Sequence, residues 1–229
     1  MKIAIVQSNY IPWKGYFDLI NMSDKFILLD DVQYTKRDWR NRNIIKTANG
    51  LKWITIPVKV KDKYFQKTNV TEVSEKKWGI KHWKMLSHTY SKTLYFKKYH
   101  EIFEELYLNI KSILLSEINF NFITTINYLL GINTEILWSH DFQIMSSDKS
   151  EKIVKLCKAV GGTEYITGPA AKNYINKDLF DQKNISITWM NYSNYPRYRQ
   201  INGEFVHGVS ILDLIFNEGK NAPKFMKSF

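Results

Sequence analysis

KIAIVQSNYIPWKGYFDLINMSDKFILLDD, residues 2–31, passes from a short apolar run through a polar loop and an amphipathic stretch to a second apolar run. Ile3 to Val6 is β-branched and of the length that fills a buried parallel strand; Lys25 to Leu29 is a second such run. Between them, Gln7 to Gly15 is a loop punctuated by Pro12 and Gly15, and Tyr16 to Met22 has the spacing of a short helix. Strand, crossover helix and strand make the repeating unit of a parallel sheet, with a right-handed connection. Open sheets of this kind bind ligands beyond the C-terminal ends of their strands. The Gln7–Gly15 loop and the pair Asp30-Asp31 both fall at that edge, so this stretch sets the fold class and locates the site.

Outward from it, Asn49-Gly50 is a hairpin signal joining residues 43–47 to 52–58. Residues from about 75 to 131 read as helical, with a stripe of Ile102, Phe103, Leu106, Ile110, Ile113 and Leu114, and with Gly131 placed as a C-cap. Residues 136–139, 164–167 and 185–190 read as further strands. Asp148 with Glu151 starts a helix that stops at Gly161-Gly162, and residues 210–216 read as a last helix. Strands that alternate with helices predict an α/β, Rossmann-like, mostly parallel sheet. The expected organisation is one domain over residues 1–229, with a mainly helical insertion at about 75–131.

The chain has 229 residues and a net charge of +11, from 33 Lys and Arg against 22 Asp and Glu. Such a surface attracts phosphate-bearing metabolites, nucleic acid or acidic lipid headgroups. A solvated lysine-rich surface is the plain alternative. Cys157, the single cysteine, excludes an intrachain disulfide and sits in an apolar stripe, where a buried, inert thiol is expected. No signal-peptide pattern precedes the first strand and no apolar run approaches the length of a bilayer span, so the expected location is the cytoplasm, without integral membrane association.

Two constellations carry chemistry. In the first loop Gln7, Asn9 and Tyr10 supply neutral donors and acceptors, Trp13 a stacking face, and Gly15 room for close backbone approach at a helix start that favours anions. The second is Gln33, Tyr34, Lys36, Arg37, Trp39, Arg40, Asn41 and Arg42, where guanidinium groups suit phosphate and aromatic planes suit a base or sugar. Asp30 and Asp31 are candidates to position a metal, a hydroxyl or an attacking amine. Adjacent carboxylates diverge, so at most one is expected to act. His82 is the preferred general base, because imidazole is poised near neutral pH. The five histidines lack metal-ligand spacing, and neither a metal nor a cofactor is predicted. Gly168, in a Gly-Pro turn, opens another helix N-terminus to an anion. Ser210 reads first as an N-cap and is kept as a binding candidate.

Gln7 to Phe17, then Asp30 to Tyr34, Arg40 to Arg42, Tyr165 to Tyr174 and Ser210 to Asn217 resemble, in that order, the WbqC-like family over essentially the whole chain. That resemblance implies a bacterial protein of O-antigen or related surface-polysaccharide clusters, with glycyl transfer among its activities. Combined with the residues above, it points to an acyl- or aminoacyltransferase. The product is an amide on a nucleotide-linked amino sugar, and the donor is an acyl compound or an aminoacyl-tRNA. A weaker likeness is to the opening of HxGH nucleotidyltransferases and pantothenate synthetase. Trp13-Lys14-Gly15-Tyr16 stands where those enzymes carry His-x-Gly-His, so both imidazoles are replaced. The rival readings are an ATP-dependent ligase or nucleotidyltransferase, and a non-enzymatic basic binding protein.

Overall fold

The computed structural model describes residues 1–229. The chain runs β1 (Lys2–Val6), α1 (Lys14–Asn21), β2 (Lys25–Leu28), β3 (Arg42–Thr47), β4 (Gly50–Thr55), α2 (Trp78–Tyr90), α3 (Phe96–Leu108), α4 (Leu115–Leu130), β5 (Glu135–Trp138), α5 (Lys149–Ala159), β6 (Glu164–Thr167), α6 (Lys177–Asp181), β7 (Ser186–Trp189) and α7 (Ile211–Glu218), with short 3-10 turns between them. Five strands form one parallel sheet in the order β5-β2-β1-β6-β7. The order reverses direction around β1. This is the Rossmann-like α/β fold, with its switch point between β1 and β6.

Strand geometry sends successive side chains to opposite faces, which gives the sheet two cores. Ala4, Phe26, Leu28 and Ile166 face the larger one, shared with α1, α7 and the helices α2 to α4. Ile3, Ile5, Ile27 and Tyr165 face the smaller one, covered by Ile153, Leu156 and Cys157 of α5 and Phe180 of α6. Burial on that face pushes the Cys157 thiol up to about 12, so it stays a protonated, unreactive group.

β3 and β4 form a separate antiparallel ribbon, turned at Gly50 with φ +98°. It stands at the C-terminal edge of the main sheet, anchored where the Ser210 amide donates to the Ile44 carbonyl at 2.8 Å. α2 and α3 approach so closely that a Cβ at Gly79 would lie 2.2 Å from the Tyr107 carbonyl oxygen. No helix is long and apolar enough to cross a membrane.

Candidate functional site at the sheet edge

The Gln7–Gly15 loop leaves β1 and is fastened from three sides. Behind it, the Ser8 amide donates to Asp30 Oδ1 at 2.8 Å, Ser116 donates to the other carboxylate oxygen, and Asn119 Nδ2 donates to Ser8 Oγ at 3.0 Å and to the Arg40 carbonyl at 2.8 Å. Asp30 is wholly buried. Burial raises its pKa, against the opposing hydrogen bonds of Ser116 and Ser8 and the charge of Arg40. It ties the loop to α4 and meets no ligand space.

Tyr10 is also fully buried, its hydroxyl 2.8 Å from both His82 Nδ1 and Tyr107 Oη. The other ring nitrogen of His82 lies 3.1 Å from the Thr55 carbonyl oxygen. Burial lowers this imidazole to about 4, so it is neutral and both nitrogens are engaged within the core. The structure brings neither Tyr10 nor His82 to an open surface.

Ile11 is wholly buried and holds φ at +37°, a conformation that β-branched residues avoid. It is held by Asn43 Nδ2, which donates to the Tyr10 and Ile11 carbonyls at 3.0 and 2.9 Å, and by Ser210 Oγ, which donates to Ile11 at 2.8 Å. Ser210 also caps α7, accepting from the Leu212 amide at 3.3 Å. This serine shapes the loop.

The switch point itself is filled by aromatic rings. A Cβ on Gly15 would lie 2.3 Å from the Trp13 ring, so the space that glycine leaves is taken by the indole of its own loop. Trp13 packs against Tyr192 and Tyr195, with centroids at 5.2 and 5.6 Å, and a Cβ on Gly168 would lie 3.4 Å from Tyr192. Free volume remains to either side of this plug.

On one side is a hollow of about 260 Å³ lined by Asn9, Pro12, Trp13, Trp39, Asn43 and Gly208. The proline–tryptophan loop and the arginine-rich segment thus converge. Their guanidinium groups are partly spent inside the protein. Arg40 donates to Asn9 Oδ1 and lies 3.3 Å from Asp38, while Arg42 sits 4.1 Å over the Trp53 ring and donates to the Arg37 carbonyl. The Nε of each is buried without a partner. Trp39 is 41% exposed and packs against Trp53 at 5.1 Å. Lys36 and Arg37 face solvent. Asn41 turns inward to donate to the Ile56 carbonyl at 2.8 Å, and Tyr34 is buried, its phenol pushed up to about 12.

On the other side, over the ends of β1 and β2, lies a hollow of about 570 Å³ whose lining includes Gln7, Asp31, Gln33, Lys67, Lys149 and Lys152. Asp31 accepts from Lys152 Nζ at 2.6 Å and from Ser139 Oγ at 2.5 Å. Burial opposes its ionisation, but the ammonium and the hydroxyl together outweigh burial and hold the carboxyl below its usual range. Of Asp30, Asp31 and His82, only Asp31 reaches ligand space.

Lys14 is the residue that sequence reading left without a role. Only 2% exposed, it donates to the Pro196 carbonyl at 3.0 Å, lies over the Tyr195 and Tyr198 rings at 4.8 and 5.4 Å, and has no carboxylate in ion-pair range. Burial lowers it from 10.5 to about 8, against the pull of Asp18. Its folded pKa lies below its unfolded one, so the unfolded chain binds more protons between these values, and this lysine's contribution to stability rises with pH across that window. Denaturation of wild type and Lys14→Met at successive pH values is expected to show the wild type gaining on the variant from about pH 8 to 10.5. A pH-independent difference would mean that the ammonium is solvated.

The sequence model of the WbqC-like protein family matches residues 7–225, beginning at the first residue of this loop. The uncharacterized protein Rv1507c of Mycobacterium tuberculosis is 44% identical over 226 residues, which cover 99% of this chain and 97% of that protein. No solved structure matches the chain.

Proposed function

The chain belongs to the WbqC-like protein family, and from that premise we propose that it is a transferase forming an amide on the amino group of a nucleotide-linked sugar, in the making of a bacterial surface polysaccharide such as O-antigen. One observation carries the reading. Two stretches distant in sequence, Asn9–Trp13 and the segment bearing Trp39 and Arg40, close on one hollow at the C-terminal edge of the sheet, and Asp31 opens onto the neighbouring hollow at that edge.

In the reaction the sugar's amine attacks the carbonyl carbon of an acyl or aminoacyl ester or thioester, such as a glycyl-tRNA. The new C–N bond replaces the donor's C–O or C–S bond. Asp31, kept ionised by Lys152 and Ser139, holds and orients the amine. A carboxylate of low basicity accepts a hydrogen bond from the neutral amine without taking its proton, and as the C–N bond forms that nitrogen's proton passes to the oxygen or sulfur that departs as alcohol or thiol. Trp13 and Trp39 offer planes for a base or sugar of the donor, such as the terminal adenosine of an aminoacyl-tRNA, and the lysines around Asp31 offset the acceptor's diphosphate.

The test is to incubate the protein with UDP- and dTDP-amino sugars, each with acyl thioesters and glycyl-tRNA, and follow the sugar nucleotide by mass spectrometry. The expected product is heavier by one acyl group. No product with any donor, together with no binding of any sugar nucleotide, ends the proposal. A ligase reading predicts pyrophosphate release from ATP instead. It is the weaker one, since Trp13 covers the helix start where a nucleotide's phosphate would rest.

A further inference from the structure

We propose that the lysine-lined hollow over β1 and β2 is the site for the diphosphate of a nucleoside-diphosphate ligand. This deepens the transferase reading and rests on it for the ligand's identity; the anion site itself rests on size, charge and position.

Ligand sites span about 300–1,000 Å³. The hollow beside Trp13, at about 260 Å³, falls short of that range, whereas the lysine-lined one, at about 570 Å³, lies well inside it. A sugar nucleotide therefore fits the second and would overfill the first.

Charge points the same way. Three lysines line the hollow, Lys67, Lys149 and Lys152, against two acidic residues, Asp31 and Asp148. Each carboxylate has a partner within the protein, and Asp31 keeps a lone pair on each oxygen for the substrate amine. Asp31 is bound by Lys152 and Ser139, and Asp148 caps α5 by accepting from the Glu151 amide at 2.7 Å. Lys67 and Lys149 take part in no ion pair, and Lys149 Nζ stands 5.6 Å over the Tyr174 ring. Two lysines without an ion pair lining one space is the arrangement a diphosphate completes, by charge-assisted hydrogen bonds to its oxygens. The arginine segment offers less, because both terminal nitrogens of Arg40 and one of Arg42 already serve Asn9, Asp38 and the Arg37 carbonyl, and no arginine lines this hollow.

Position completes the argument. Gln7, Leu29 and Asp31 lie just beyond the C-terminal ends of β1 and β2, the edge at which open α/β sheets hold ligands, and the hollow opens beside the β1–β6 switch point that Trp13 and Tyr192 fill. A diphosphate between Lys67 and Lys149 leaves the attached amino sugar within the same hollow as Asp31. The exposed Tyr174 ring supplies an aromatic wall for the base.

Calorimetric titration of the full chain with UDP, dTDP and inorganic pyrophosphate tests this. The nucleoside diphosphates are expected to bind, with pyrophosphate competing. Lys67→Ala/Lys149→Ala is expected to weaken binding at least tenfold. Lys97→Ala/Lys98→Ala, which removes the same charge from α3, should change it less than twofold. Lys67 and Lys149 are both solvent-facing, so an unchanged melting temperature will confirm that the double variant folds. Tenfold weakening by Arg40→Ala or Arg42→Ala, with none from the lysine pair, overturns the assignment and leaves the transferase reading standing. Absence of binding by every phosphate compound also overturns it, and the acyl-transfer assay then judges the transferase reading separately.

Discussion

Asp30→Ala should lower the melting temperature by roughly 6–12 °C, as expected for a loss of about 3 kcal/mol in a domain of this size. The Ser8 amide and the Ser116 hydroxyl both end on this wholly buried carboxylate, and the substitution orphans both. Each buried donor left unpaired costs about 1–3 kcal/mol, which sets the scale. Asp31→Ala should behave differently although the two are adjacent. Its partner Lys152 lines the open hollow, where water can take the place of the lost carboxylate, so the melting temperature is expected to fall less, while acyl transfer falls steeply. Scanning calorimetry alongside the product assay separates the two. If Asp30→Ala melts within about 2 °C of wild type, the network behind the loop does not hold it; equal melting losses at both positions would mean that Asp31 too is structural.

That contrast marks how far the sequence carries. Ile3–Val6 and Lys25–Leu29 are readable because a strand buried on both faces must be apolar at every position, and a short apolar run bounded by loops has few other uses. α6, five residues long, shows no period to read. Asn9, Trp13 and Trp39 were legible as lining for a hollow at the sheet edge, because a polar and aromatic loop at a strand end is not spent on the core. The arginine cluster was legible as a cluster, but its directions were not. Arg42 turns onto Trp53, which the hairpin brings beside it, and Arg40 turns onto Asp38 and Asn9. His82 looked like a base until Tyr10 and Tyr107, from distant parts of the chain, closed over it. Gly15 promised space that Trp13 fills. Lys67, Lys149 and Tyr174 lie in three separate segments, and only the folded sheet edge brings them to one hollow.

Asn43→Asp should reduce acyl transfer about 10²-fold, the scale expected when reacting groups are misplaced by about 1 Å. Ile11 sits at φ +37° with a β-branched side chain, a strain of order 1–3 kcal/mol that persists only where neighbours enforce it. The Asn43 amide nitrogen supplies much of that enforcement, donating to the carbonyls on both sides of the bend, while its own oxygen accepts from the Ile44 amide at 2.7 Å. Aspartate keeps the shape but turns a carboxylate oxygen toward two carbonyl oxygens, so attraction becomes repulsion. The loop then relaxes away from +37°, carrying Asn9, Pro12 and Trp13, half the lining of the smaller hollow, out of position. Ser210→Ala removes one of the bonds to Ile11 and the cap of α7, so it should cost about 1 kcal/mol of stability and a smaller loss of rate. Hydrogen exchange at the amides of Tyr10, Ile11 and Trp13 reads the same relaxation without relying on turnover, and it should quicken in Asn43→Asp. Wild-type exchange with lost activity would place Asn43 in contact with substrate. Wild-type activity with fast exchange would mean that the bend does not set the site, and that chemistry proceeds in the neighbouring hollow without it.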